Sequence, residues 1–257
     1  MSRDPSRDPS QGQLEDQPED QSGDPHDPPP GGVLEADQVL GIAAHEIKNA
    51  LGPLTMTLQL CERRAASGDT VPLEDLKFAR GQVRRIAQLV GDLLDTARID
   101  TGRLALRLAP VDLCALVQET VETFRRGHAQ RIVCDLPPTP LMYTADAERL
   151  ASVLSNFLDN AAKYTPERAA IQVRMSLAGD RVRIAVKDQG PGVRPEDRER
   201  IFERYYRSPS LAELAGGLGL GLFICRAIAK GHGGSVGVES TPGQGATFWL
   251  DLCLGQS

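Results

Sequence analysis

Residues 40–61 read LGIAAHEIKNALGPLTMTLQLC. Leu40, Ala44, Ile47, Leu51, Leu54, Leu58 and Cys61 recur at alternating steps of four and three. That is an a/d seam, the pattern of a helix packing lengthwise on other helices. His45, Glu46 and Asn49 add polar and titratable chemistry beside the seam, and Gly52 and Pro53 add residues that a helix interior disfavours. Because Leu54, Leu58 and Cys61 carry the seam past Pro53, the proline is expected to bend the helix at or just after Asn49, not to end it.

The spacing then recurs. AASGDTVP (65–72) supplies turn residues, and Leu76, Ala79, Val83, Ile86, Val90, Leu93 and Ala97 repeat the heptad. Two such helices joined by a short loop form an antiparallel hairpin. A lone hairpin cannot bury both seams well, whereas two copies can, so a homodimer built as a four-helix bundle is expected. His45 lies one residue past the seam position Ala44 and should flank the bundle core, facing solvent.

After TGR (101–103) the period changes. Leu104, Leu106 and Leu108 alternate like a strand. Asp112 can cap a helix reaching about Gly127, and Asp146 another through Lys163. Arg131–Leu136 and Leu141–Thr144 are short strand candidates. Ile171, Val173, Met175 and Leu177 alternate, as do Val182, Ile184 and Val186, with AGD between them as a hairpin turn. A helix is expected from Leu218 to Lys230, then strands over Ser235–Ser240 and Thr247–Leu254. Helices segregated on one face of a mixed sheet accommodate this order most simply, making the whole chain α+β.

Composition narrows the class. Of the net charge of −6, residues 1–35 contribute −7 through nine acids and two arginines, which leaves about +1 for the rest. A nearly neutral body without a basic stripe has no footprint for nucleic acid. Residues 1–34 are acidic and proline-rich, with the near-repeat SRDPSRDPS, and read as a disordered tail. No apolar run approaches the ~20 residues of a membrane span, and the start does not resemble a signal peptide. Five cysteines stand singly, which fits a reducing, cytoplasmic setting rather than a disulfide framework or a zinc site.

Three stretches in the second half carry chemistry. NFLDNAAKYT (156–165) places Asn156 and Asn160 on one helix face with Lys163 close by. Two amides and a lysine suit a hydrated magnesium ion and phosphate oxygens, because Mg²⁺ takes oxygen ligands. DQGPG (188–192) follows a strand directly, and GGLGLG (216–221) precedes a helix. Glycines let a ligand approach the backbone, and a helix N-terminus offers free N–H groups to phosphate. Neither loop has the dinucleotide GxGxxG or Walker spacing, and either alone also reads as a plain tight turn.

Together, in this order, the motifs resemble those of a two-component sensor histidine kinase. HEIKN looks like its H box, NFLDNAAKYT its N box, DQGPG its first glycine box, IFERYYRS (201–208) its F box and GGLGLGL its second glycine box. The resemblance covers roughly residues 38–254. It implies a dimerisation and phosphotransfer domain over 35–101 and an ATP-binding domain over 102–254, an α/β sandwich of the gyrase and MutL type. It implies that His45 accepts phosphate with Glu46 as base, and that Asn160 holds Mg²⁺ with Asn156 supporting the nucleotide. Lys163 would meet phosphate and Tyr164 would lie near the ribose or base. Asp188 would read the adenine amino group, in a pocket shaped by Gly190 and Gly192. Residues 193–216 would be a lid anchored by Phe202, and Gly217, Gly219 and Gly221 would wrap the phosphates.

The implied activity is ATP-dependent autophosphorylation of His45 and transfer to an aspartate of a response regulator receiver domain. Asn49, four residues on, implies phosphatase activity as well. Two departures stand out. Ala50 replaces a proline common in the family while Pro53 retains a second one, and Ala246 stands where threonine is frequent. No sensor region precedes His45, so the input comes through a separate sensor protein or the tail, or the chain is a piece of a longer one. A regulatory scaffold with weak transfer, or a related ATPase that binds nucleotide without histidine transfer, are the competing classes.

Overall fold

The structure, a computed structural model, describes residues 36–254 apart from residues 129, 167 and 210–216. The expected tail over 1–34 and the later part of the expected lid lie outside the described residues.

Two long helices come first. Helix α1 (Ala36–Ala66) runs through Pro53, and α2 (Leu73–Asp100) returns beside it. Arg63 and Arg64 end α1, and Glu74 and Asp75 open α2, so each charge complements the helix dipole it meets. An Arg64–Asp75 pair at 2.9 Å closes the turn between them. The heptads divide their work between two faces. Ala43, Ala50, Leu54 and Cys61 of α1 and Ala79, Leu89 and Thr96 of α2 are buried. Leu51, Leu58, Leu76, Val83 and Val90, on the same expected seams, remain 41–53% exposed. One hairpin thus covers one stripe of each helix and leaves a second apolar stripe outside.

Residues 103–108 are not the expected strand. Arg107 donates its backbone N–H to Asp146 Oδ2 at 2.9 Å, and Leu106 lies against Gly231, where an added Cβ would stand 3.0 Å from its Cδ1. The leucine alternation here serves anchoring to the next domain, not strand pairing. Strand β1 (Ala109–Asp112) follows and pairs with β3 (Met142–Ala145) in a two-stranded sheet.

The main sheet has the order β2-β4-β5-β7-β6, from β2 (Ile132–Asp135), β4 (Ile171–Ala178), β5 (Arg181–Lys187), β6 (Ser235–Ser240) and β7 (Ala246–Cys253). Only the β2–β4 pair is parallel, so the sheet is mixed. Helices α3 (Leu113–Arg125), α4 (Ala147–Tyr164) and α5 (Gly221–Gly231) pack together against one face. Asp112 caps α3 by accepting from Cys114 N–H, and Asp146 caps α4 by accepting from Arg149 N–H. The alternation of β4 holds for Ile171, Val173 and Met175, but Leu177 is 50% exposed, at the hairpin end of the strand. The last helix starts at Gly221, three residues later than expected, because Gly217 and Gly219 adopt positive φ of 137° and 65°. Among the described residues no helix is long and apolar enough to cross a membrane.

Candidate functional site

Helix α4 supplies the floor. Asn160 Nδ2 donates to Asn156 Oδ1 at 3.1 Å, which confirms that the two amides share a face. This contact engages the Asn160 nitrogen and not its oxygen, the atom type that a hard cation takes. Among the described residues no cluster of His, Cys, Asp or Glu can hold a metal by itself. A Mg²⁺ ion bound through one amide oxygen and the phosphates of a ligand fits this donor set.

At the end of α4, Lys163 is held below the usual lysine range, at about 8. Burial among protein atoms is the main cause, Arg207 and Arg85 add repulsion, and Glu46 opposes them. Burial likewise raises the Tyr164 phenol. Thr165 accepts the N–H of Gln189 at 3.4 Å and so joins the end of α4 to the loop after β5.

That loop carries Asp188, which is 3% exposed. Its Oδ1 accepts the N–H groups of Gly190 at 2.8 Å and Ala246 at 3.1 Å. Its Oδ2 accepts no hydrogen bond from the described residues. Burial pushes the carboxyl pKa up while the two backbone bonds pull it down. Gly190 is required by space, since an added Cβ would stand 2.9 Å from the Tyr164 carbonyl oxygen. Gly192 is required by both space and its φ of 78°.

The glycine run closes the far side. A Cβ on Gly221 would fall 2.0 Å from Asn156 Nδ2, so glycine lets the start of α5 lie directly on the α4 amides. Helix α5 begins without a side-chain cap, leaving its first N–H groups for an anion. Gly219 accepts the Tyr205 N–H at 3.1 Å and ties this loop to the IFERYYRS segment. Phe202 is 3% exposed and belongs to the core. Buried Asp197 accepts from Tyr206 Oη and Ser208 Oγ, so the segment around Phe202 is anchored through a carboxylate that sequence reading did not single out.

On the hairpin, His45 and Asn49 are exposed on α1. Glu46 Oε2 pairs with Arg85 Nη2 of α2 at 2.7 Å. No hydrogen bond joins Glu46 to the His45 ring among the described contacts. Arg85 was also missed from sequence; only the antiparallel register of the two helices places it opposite Glu46. His232 is buried and structural: its Nδ1 lies 2.8 Å from the Ile228 carbonyl, and its Nε2 accepts the Asp146 N–H at 3.0 Å. Ala246 takes part through its backbone in holding Asp188, which any residue type supplies.

Comparison with known proteins gives two domain matches. Residues 35–102 match the His Kinase A (phospho-acceptor) domain, and residues 145–256 match the histidine kinase-, DNA gyrase B- and HSP90-like ATPase. The adaptive-response sensory kinase SasA of Thermosynechococcus vestitus is 36% identical over 230 residues, covering 84% of this chain and 59% of that protein. The signal transduction histidine-protein kinase/phosphatase MprB of Mycolicibacterium paratuberculosis is 34% identical over 220 residues, covering 82% of this chain and 41% of that one. The chain therefore spans about half the length of these relatives. Full-length ShkA, crystallised with AMPPNP, superposes with a TM-score of 0.57 at 30% identity, over 85% of this chain and 46% of that one. With a phospho-acceptor hairpin followed by a gyrase-type ATP-binding domain on one polypeptide, the chain belongs to the two-component sensor histidine kinases.

Proposed function

We propose that the chain is an ATP-dependent protein-histidine kinase that phosphorylates His45 and passes the phosphoryl group to an aspartate of a response regulator. The observation carrying this reading is an exposed histidine on a heptad helix, together with the α4 amides, the buried Asp188 carboxylate and the glycine run laid on Asn156, each of which suits one part of ATP. Asp188 Oδ2 accepts the adenine amino group in the pocket shaped by Gly190 and Gly192, and Tyr164 flanks the sugar or base. Lys163, Gly217, Gly219 and the free N–H groups at Gly221 bind phosphate oxygens. Asn160 holds Mg²⁺, which supplies charge neutralisation at the phosphates, and Asn156 keeps the Asn160 amide turned towards it. Phe202 and Asp197 anchor the segment leading into the lid.

In the transfer, one imidazole nitrogen of His45 forms the P–N bond as the bond from the γ-phosphorus to the ADP oxygen breaks. Glu46 takes the proton of the other ring nitrogen, and its Oε1 is available for this while Oε2 stays with Arg85. Asn49 lies one turn beyond His45 and orients water for hydrolysis of the regulator's aspartyl phosphate. Exposed apolar stripes on both helices support a homodimer, and free cysteines support a cytoplasmic setting. A separate sensor protein is a further expected partner.

Incubation with Mg²⁺ and γ-labelled ATP tests the reading. Acid-labile, base-stable label is expected on the wild type and none on His45→Gln. Label that persists in the variant overturns the assignment.

A further inference from the structure

We propose that phosphoryl transfer runs in cis: the ATP bound by one chain phosphorylates His45 of that same chain, not of its dimer partner. The inference rests on the kinase reading above and goes beyond it, because the site residues alone do not say which copy's histidine is reached.

The ATP-binding domain is strapped to its own hairpin at several points. Arg149, at the start of α4, pairs with Asp95 of α2. Arg204 pairs with Asp100, the last residue of α2, at 2.8 Å. Helix α5 packs on α2, and Leu89 and Ala43 join one continuous apolar cluster with the core of the ATP-binding domain. The connector is short and doubly fixed, by Arg107 on Asp146 and by Leu106 on Gly231.

These straps set the direction of α4. From Arg149 to Lys163 the helix rises about 21 Å, at ~1.5 Å per residue. Along α2, Asp95 to Arg85 is about 15 Å in the same measure. Arg149 holds the start of α4 at Asp95, and the helix is long enough for its Lys163 end to reach the level of Arg85. There Arg85 is bonded to Glu46 of α1 in the same chain, one residue from His45. The charges of Arg85 and Glu46 act on Lys163, as their proximity requires. The phosphate end of the cleft therefore faces the chain's own histidine turn.

Heterodimers with one tag on each chain, co-expressed and purified through both tags, test this. A wild-type chain paired with a His45→Gln/Asn160→Asp double variant should be labelled on the wild-type copy, at about half the rate of the wild-type dimer. His45→Gln paired with Asn160→Asp should give no label. Label on the Asn160→Asp copy in the second pair, or none in the first, overturns transfer in cis. If no heterodimer is captured, dilution to the point where light scattering shows monomers decides: a labelling rate per chain that stays constant as the dimer dissociates supports the proposal, and one that falls with dissociation overturns it. Failure of the wild-type homodimer to label at all sinks the kinase reading instead, so the two failures are distinguishable.

Discussion

Asp92 shows how a single side chain can tune this molecule. It sits on α2 beneath α5, and burial pushes its pKa from 3.8 to about 6, with Asp95 adding repulsion and Gln88 opposing through a 2.7 Å hydrogen bond. A raised carboxyl pKa means that the folded state holds the proton more tightly than the unfolded chain. Its penalty is therefore absent below about pH 4, grows as pH rises to about 6, and is constant above that. The penalty is at most about 3 kcal/mol. Asp92→Asn should raise the melting temperature at pH 7.5, with the gain vanishing near pH 4; equal gains at both pH values would show that charge is not the cause. Gly221→Ala makes a steric prediction, since its Cβ would fall 2.0 Å from Asn156 Nδ2. Displacing that amide should weaken nucleotide affinity at least tenfold in a titration with a fluorescent ATP analogue, while the melting temperature falls only a few degrees. Asn49→Leu should lower phosphatase activity and spare autophosphorylation; an unchanged phosphatase rate removes Asn49 from that role. At this scale the sequence was a good guide wherever chemistry is local, as with Asn156 against Asn160 or Asp112 and Asp146 as caps. It was silent on Arg85 and Asp197, whose partners are fixed only by helix register or by a folded loop.

The elements explain why periodicity succeeded in most places and failed in three. A strand pattern makes a strand only if it pairs, and residues 103–108 pair with none; Leu106 docks on Gly231 instead. The expected helix began inside the GGLGLG run, at Leu218, but two positive-φ glycines delay α5 to Gly221. Leu177 keeps the alternation of β4 but is 50% exposed, next to the hairpin turn into β5. Pro53 is the opposite case, where a local breaker was overruled: α1 continues because it has buried residues on both sides of the proline, at Ala50, Leu54 and Cys61. Proline cannot donate to the Asn49 carbonyl, so this turn, immediately after the histidine segment, has one hydrogen bond fewer than its neighbours. If that weakness lets His45 change pose, Pro53→Ala should stiffen α1 and shift the ratio of kinase to phosphatase activity. An unaltered ratio would leave the proline a structural kink alone.

At the scale of the molecule, the unsatisfied surface is the outer stripe of the hairpin. The helices run antiparallel, tied by Glu46–Arg85 and Arg64–Asp75, and the outer stripe is made of Ala44, Leu51 and Leu58 on α1 and Val90, Val83 and Leu76 on α2. These positions repeat after one heptad on both helices, so the stripe runs straight along the hairpin. A second copy can lay the same stripe against it about a two-fold axis, completing four helices around one core. Leu51 and Val83 are the middle positions of the stripe on their helices and are 45% and 53% exposed in the single chain. Charging them should cost association far more than folding, because neither is part of the buried face between α1 and α2. Leu51→Glu/Val83→Lys should therefore run as a monomer in light scattering at concentrations where the wild type is a dimer, with the ATP-binding domain still binding nucleotide. Under transfer in cis the monomer should keep measurable His45 labelling, whereas transfer between copies would abolish it. A variant that remains dimeric would place the interface elsewhere on the hairpin.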